Sequence, residues 1–418
     1  MGKAKPVPVV NVQSVDDARD RAHEVINHIS SQLIRRDRYV KAIITALIAK
    51  QNVFLLGPPG TAKSMLSRGV CDSLSFTGGP GFFSVLIGKE TTKNDLFGAP
   101  HFPSLKKGEY VLKLDRKLAD CRVAFLDEIW KGSVGVNNGM LMAINERQFD
   151  NGDSGVIDIP LEIAVSASNE IPTSQESMAL YDRFLFKFYV PYLTDRDDLK
   201  RLFSLKQSKQ RMDTSVQLDS DQLDALRSYA ALVDTEPVYD VLLDIYDDLD
   251  RSLGIKVSDR TKGEIVSVLQ AIATLEGRQV SVPMDLQSIV PCLVHDPETD
   301  TDNVTALVAQ YVCPDLDTVL KLERAATQLF LNGVSAFHPV TGDAVMLGFE
   351  AASTFVNGSD IDRQAANVCL TALNRELKKL VNECNTLDLS TDAVSDTADK
   401  IVAMQKQVQR AAKSLLGI

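Results

Sequence analysis

Four apolar residues, Val53-Phe54-Leu55-Leu56, stop abruptly at Gly57-Pro58-Pro59-Gly60-Thr61-Ala62-Lys63-Ser64, and no other junction limits so tightly what this chain can fold into. A short apolar run ended by Gly and Pro reads as a buried parallel strand feeding a tight turn. A Gly-rich turn that then opens a helix with Lys-Ser points backbone N–H groups and a helix N-terminus at one spot. That is an anion site, and a polyphosphate is its natural occupant. In such a loop Lys63 reaches the β- and γ-phosphates and Ser64 ligates Mg²⁺, while Gly57, Pro58, Pro59, Gly60, Thr61, Ala62 and Met65 wrap the nucleotide phosphates. One position departs from the general pattern, because the residue before the lysine is Ala62 rather than Gly. Alanine disfavours a positive φ, so the loop is expected to enter its helix with ordinary dihedrals.

Two further apolar runs end on polar tips. Val123-Ala124-Phe125-Leu126 stops at Asp127-Glu128, and Ile163-Ala164-Val165-Ser166-Ala167-Ser168 stops at Asn169. With helical segments at 64–74 and 134–146 between them, these strands imply a parallel sheet sandwiched by helices, with ligands beyond the strand carboxyl ends. An Asp-Glu pair at that edge suits metal-assisted hydrolysis, Asp127 holding the Mg²⁺ shell and Glu128 polarising the attacking water. The plainer alternative is that the pair only caps a surface strand.

Helical spacing precedes the loop over residues 14–50, with Ser14 as a candidate N-cap. The segment 76–115 is rich in Gly and Pro and longer than a crossover needs, so it reads as an insertion. Asn151-Gly152 inside 147–160 signals a hairpin. From Asp195 the pattern becomes helical, with Leu223, Leu226, Val241, Leu242, Ile245 and Leu249 at helical intervals. A Gly- and Pro-containing stretch follows residue 332, and two amphipathic helices then fit 361–382 and 391–416. The expected organisation is a short flexible N-terminus (1–13), an α/β nucleotide-binding core (14–194), an all-helical lid (195–298) and a mostly helical C-terminal extension (299–418).

Composition narrows the function classes. The formal charge of −11 opposes a broad nucleic-acid-coating surface, since phosphate backbones are held by net positive faces. No run approaches the 18 or so apolar residues of a membrane span and the first residues lack a signal-peptide core, which predicts a cytoplasmic protein. The cysteines and histidines are scattered without metal-ligand spacing, so the cysteines read as reduced, mostly buried thiols.

Five stretches together resemble a known family. FLLGPPGTAKS (54–64), FLDEIWKGSVGVNNGMLMAINERQF (125–149), ASNEIPTSQESMALYDRFLFKF (167–188), VSDRTKGEIVSVLQAIATLEGR (257–278) and PMDLQSIVPCLVHDP (283–297) are similar to MoxR-type AAA+ ATPases, most closely the RavA subfamily. The resemblance covers about residues 15–300 and fades beyond. It implies an AAA+ P-loop core, Mg²⁺-dependent ATP hydrolysis and a homo-hexameric ring. It further implies that Asn169 is the sensor orienting water against the γ-phosphate, that Arg183 is an arginine finger reaching a neighbouring subunit, and that Arg260 is the lid sensor contacting nucleotide. Segment 76–115 would be the helix-two insert and 147–160 the pre-sensor hairpin. Without the family, Arg183 reads as a surface residue paired with Asp182, and Arg260 has the plainer alternative of a helix-start residue paired with Asp259. Lys131 and Arg147 lie in matched stretches and read equally as contacts to nucleotide or a neighbouring subunit and as ordinary exposed charges.

The function implied is chaperone-like remodelling of a protein client, beside a partner carrying a von Willebrand factor A domain. Alternatives are a nucleotide-dependent assembly scaffold with slow hydrolysis and, against the acidic balance, a DNA-translocating motor.

Overall fold

In a computed structural model that describes residues 12–76, 81–208, 212–312, 316–337, 344–349, 352, 360–384 and 392–416, the apolar runs become the centre of a five-stranded parallel sheet. Strands β1 (Val53–Leu56), β2 (Leu74–Ser75), β3 (Phe82–Leu86), β4 (Val123–Asp127), β5 (Gln148–Asp150), β6 (Val156–Asp158), β7 (Ile163–Ser168) and β8 (Phe186–Tyr189) succeed one another in the first of two compact units, residues 1–307. The sheet order is β3-β4-β7-β1-β8. Both β1 and β7 are buried along their whole length, as strands covered on both faces must be. Because β1 and β7 are neighbours but far apart in sequence, the chain reverses its direction of progress there, which is the switch point where α/β sheets bind ligands.

Helices α1 (Val12–Ser31), α2 (Asp37–Ile48) and α3 (Lys63–Asp72) pack together and α2 and α3 also meet the sheet. The opposite face buries Phe54, Leu56, Ala124 and Leu126 against Met140, Ala143 and Ile144 of a later helix. The segment 76–115 contributes β3, which pairs with β4 from Phe82↔Val123 to Leu86↔Asp127. Part of the expected insertion is therefore an edge strand of the sheet, hidden in the sequence by its glycine-rich flanks. The remainder holds α4 (Lys93–Phe97) and α5 (Phe102–Leu105). Next come α6 (Val134–Glu146) and α7 (Gln175–Tyr181), with the antiparallel pair β5–β6 between them.

The chain continues through α8 (Arg196–Ser208), β9 (Leu218–Asp219), α9 (Ser220–Ala230), α10 (Tyr239–Asp248), α11 (Asp259–Leu275), α12 (Asp285–Ser288), α13 (Val290–Leu293) and α14 (Thr301–Val312). Ser258 caps α11 by accepting from Thr261 N, and Asp219 and Gln222 close a capping box on α9. Ser14 does not cap α1: the helix already includes Val12, so Ser14 stands inside its first turn. Of the expected 1–13 terminus, residues 1–11 lie outside the described residues.

The second unit, residues 308–418, has its own core. There α15 (Leu316–Asn332), α16 (Asp360–Cys384) and α17 (Asp392–Leu416) bury Leu322, Leu370, Leu373, Ile401 and Val408 together. The stretch after residue 332 forms an antiparallel pair, β10 (Val334–Phe337) and β11 (Ala344–Leu347).

Candidate functional site

The turn after β1 is shaped by contacts on both sides. A Cβ at Gly57 would stand 2.4 Å from the carbonyl oxygen of Val190, so only glycine lets the loop leave the sheet there. Thr61 Oγ1 donates to Pro58 O at 3.0 Å and closes the loop on itself. Ala62 does not take ordinary helical dihedrals: its φ is +68° and its ψ 19°, left-handed, immediately before α3. The expectation of a right-handed entry is thus wrong. The loop needs the left-handed turn that glycine usually supplies, and Ala62 adopts it at a cost of about 1 kcal/mol. The carbonyl of Ala62 already accepts from Leu66 N at 2.9 Å, which fixes the residue from the helix side.

Beyond the strand ends a chain of polar side chains runs from loop to sheet. Lys63 Nζ donates to the carbonyls of Gly57 and Pro58 and to Asn169 Oδ1 at 3.1 Å. Asn169 Nδ2 donates to Glu128 Oε1 at 2.8 Å, and Lys131 Nζ lies 3.3 Å from the other Glu128 oxygen. Ser64 Oγ donates to Asp127 Oδ2 at 3.0 Å. Burial pushes the Lys63 ammonium below its ordinary pKa, opposed by the charges of Glu128 and Asp127. Glu128 is itself left-handed, with φ +54°, so the backbone is turned sharply where its carboxylate leaves β4.

Arg183 and Arg260 do not join this group. Together with Lys50 and Arg147 they line a cavity of about 300 Å³ beside Gln51 and Asn52, at the opposite edge of the sheet. From Asn52 to Gly57 the strand spans roughly 16 Å at the rise of an extended chain. Arg183 pairs with Asp182 at 3.1 Å, while its Nε is buried with no hydrogen-bond partner among the described residues. Burial, and then the charge of Arg260, lower the pKa of Arg183. Arg260 donates to Asn145 Oδ1 and its Nε lies 3.7 Å from Glu264.

Behind this cavity Asn52 is a saturated hub. Its amide nitrogen donates to Arg183 O at 3.0 Å and Ile144 O at 3.5 Å, and its oxygen accepts from Arg147 and from Ala164 N, both at 3.0 Å. Arg147 is accordingly a structural tie, and burial lowers its pKa to about 10.

The sequence also concealed a second hollow. Arg36, 5% exposed, donates to Pro191 O at 2.9 Å and Thr61 O at 3.4 Å, and borders a cavity of about 450 Å³ lined also by Arg38, Tyr39, Tyr192 and Leu193. The run Arg35-Arg36-Asp37-Arg38 reads as a solvated turn between two helices, and only tertiary contact reveals that it adjoins the loop.

Comparison with known proteins matches residues 20–228 to a family described as the MoxR domain in the MoxR-vWA-beta-propeller ternary systems, and residues 237–308 to an AAA lid domain. The chain belongs to the MoxR family of AAA+ ATPases. As a MoxR ATPase it is 30% identical over 268 residues to an uncharacterised protein of Methanocaldococcus jannaschii, covering 64% of this chain and 68% of that one. It is 23% identical over 278 residues to the chaperone MoxR1 of Mycobacterium tuberculosis, covering 62% of this chain and 70% of the chaperone. A crystal structure from Cytophaga hutchinsonii, of a protein described as a candidate ATPase, superposes with a TM-score of 0.56 at 17% identity, covering 72% of this chain and 96% of the other. That likeness bears on the fold alone. Among the described residues no helix is long and apolar enough to cross a membrane, and no cluster of His, Cys, Asp and Glu suits a metal ion.

Proposed function

We propose that this MoxR ATPase works as a homo-hexameric ring in which each subunit binds ATP at its loop edge and completes its neighbour's site from the other edge. One observation carries the reading. The Lys63–Asn169–Glu128 chain and the Arg183–Arg260 pair lie at opposite ends of the same strands, so these arginines are out of reach of the subunit's own phosphates. Arg183 then acts as the finger on the neighbour's γ-phosphate. Arg260, first read as a lid sensor, serves the same neighbouring nucleotide.

In the subunit's own site, Gly57 to Met65 wrap the phosphates and Lys63 exchanges its carbonyl contacts for phosphate oxygens. Asn169 holds the attacking water, and Glu128 accepts its hydrogen bond, which raises electron density on the water oxygen and gives its proton somewhere to go as the bond to phosphorus forms. The cavity beside Arg36 and Tyr192 has room for the base. Ser64 and Asp127, an oxygen pair 3.0 Å apart, suit Mg²⁺, a hard cation that would neutralise phosphate charge when bound.

The remodelling of protein complexes in the cytoplasm, a partner with a von Willebrand factor A domain and a RavA-like character remain part of this proposal. The description of the matched family supports such a partner, and the chaperone relative supports a protein client. Glu128→Gln tests the reading: ATP binding should persist while turnover falls about a hundredfold or more. The stalled ring should retain its client and partner in a pull-down. Turnover at the wild-type rate would remove Glu128 from the water-activating role.

A further inference from the structure

The cavity at the lending edge poses an electrostatic problem. Arg183, Arg260, Arg147 and Lys50 line one space with only the carboxylates of Asp182 and Glu264 among them, and burial and then the charge of Arg260 lower the pKa of Arg183. Two guanidiniums meant for one anion repel each other before it arrives, so Arg260 left alone would swing out toward solvent. The group that stops it is the side-chain oxygen of Asn145, which accepts from Arg260 Nη2. Asn145 lies in the last turn of α6, and the neighbouring Ile144 carbonyl is held by Asn52 and Arg147, so the acceptor stands on fixed backbone. Glu264 gives Arg260 a looser charge contact without a hydrogen bond, its Oε1 lying 3.7 Å from Nε while its Oε2 accepts from Gln51.

An amide and a carboxylate would do different things at this position. A carboxylate would neutralise Arg260 and compete with an incoming phosphate. A neutral carbonyl fixes the direction of the guanidinium and leaves its charge free.

We propose that Asn145 is a positioning residue, which holds Arg260 beside Arg183 so that both guanidiniums converge on one phosphate of a neighbouring subunit. This rests on the reading of the two arginines as groups lent to the neighbour, and the test separates the two ideas.

The assembled full-length ring is assayed for ATP turnover as wild type, Asn145→Ala, Arg260→Ala and the double variant, with ring assembly checked by sedimentation. Asn145→Ala should lower kcat by about tenfold to a hundredfold through misplacement of Arg260, with KM for ATP within twofold of wild type. The double variant should be no worse than Arg260→Ala, because Asn145 acts only through that arginine. Asn145→Asp should recover part of the loss, since it restores an acceptor, yet stay below wild type. The inference fails if Asn145→Ala turns over normally while Arg260→Ala is impaired, or if the two losses multiply. If Arg260→Ala itself is unimpaired, the reading of Arg260 as a lent group falls first, and this inference with it.

Discussion

The two edges of the central sheet treat charge in opposite ways. At the loop edge, Lys63 is satisfied by two carbonyls and Asn169, Asn169 by Glu128, and Ser64 by Asp127, so donors and acceptors meet within one subunit. At the other edge four cations share a cavity with two carboxylates, Asp182 and Glu264, and Arg183 keeps a buried Nε without a hydrogen-bond partner among the described residues. A buried donor left unpaired is costly, and an anion brought to this edge would satisfy it. On the proposed reading, the contrast separates the half of the machinery that belongs to the subunit from the half that would be lent.

The most direct attempt to break that contrast is Arg183→Ala. Turnover in the assembled ring should drop on the order of a thousandfold, as for loss of an arginine finger. Mixing it with Lys63→Ala, whose own loop is disabled, should restore part of the activity; rings that stay dead after mixing would mean the arginine serves its own subunit.

Asn52 offers a second, smaller probe, because its side chain supports the lending edge from behind. Asn52→Leu should destabilise the first unit by about 2–4 kcal/mol, since the partners of the amide lose their bonds in a buried place. The urea midpoint measures it, and an unchanged midpoint would mean those partners re-pair locally. Smallest of all is Ala62→Gly. Removing the left-handed strain while adding glycine's entropy cost should stabilise the protein by less than about 1 kcal/mol. A loss of stability would show that the Ala62 methyl contributes packing worth more than the strain.

How much of this was readable beforehand follows from the range of each signal. The strands at Val53–Leu56, Val123–Asp127 and Ile163–Ser168, with polar tips at one edge, were legible because burial on both faces leaves continuous apolar runs. The edge strand Phe82–Leu86 was not, because one exposed side breaks that run. The dihedral of Ala62 was misread, since propensity is local and the turn that overrides it is set by the sheet and helix on either side. Residue types alone pointed to Lys63, Asp127, Glu128 and Asn169 as a group. That Arg183 and Arg260 share a cavity with Asn145 depends on contacts across more than a hundred positions, which no spacing rule encodes.

One element touches both edges. Helix α6 starts shortly after Glu128 and carries Asn145 in its last turn, and its 13 residues amount to a rod of about 20 Å. A rod that short does not flex appreciably, so a tilt imposed at its Glu128 end would be carried to the end where Arg260 is held. If the proposed ring forms, each subunit's own turnover would set the position of the arginines offered to the next site, and firing order would become a matter of geometry rather than of a separate messenger.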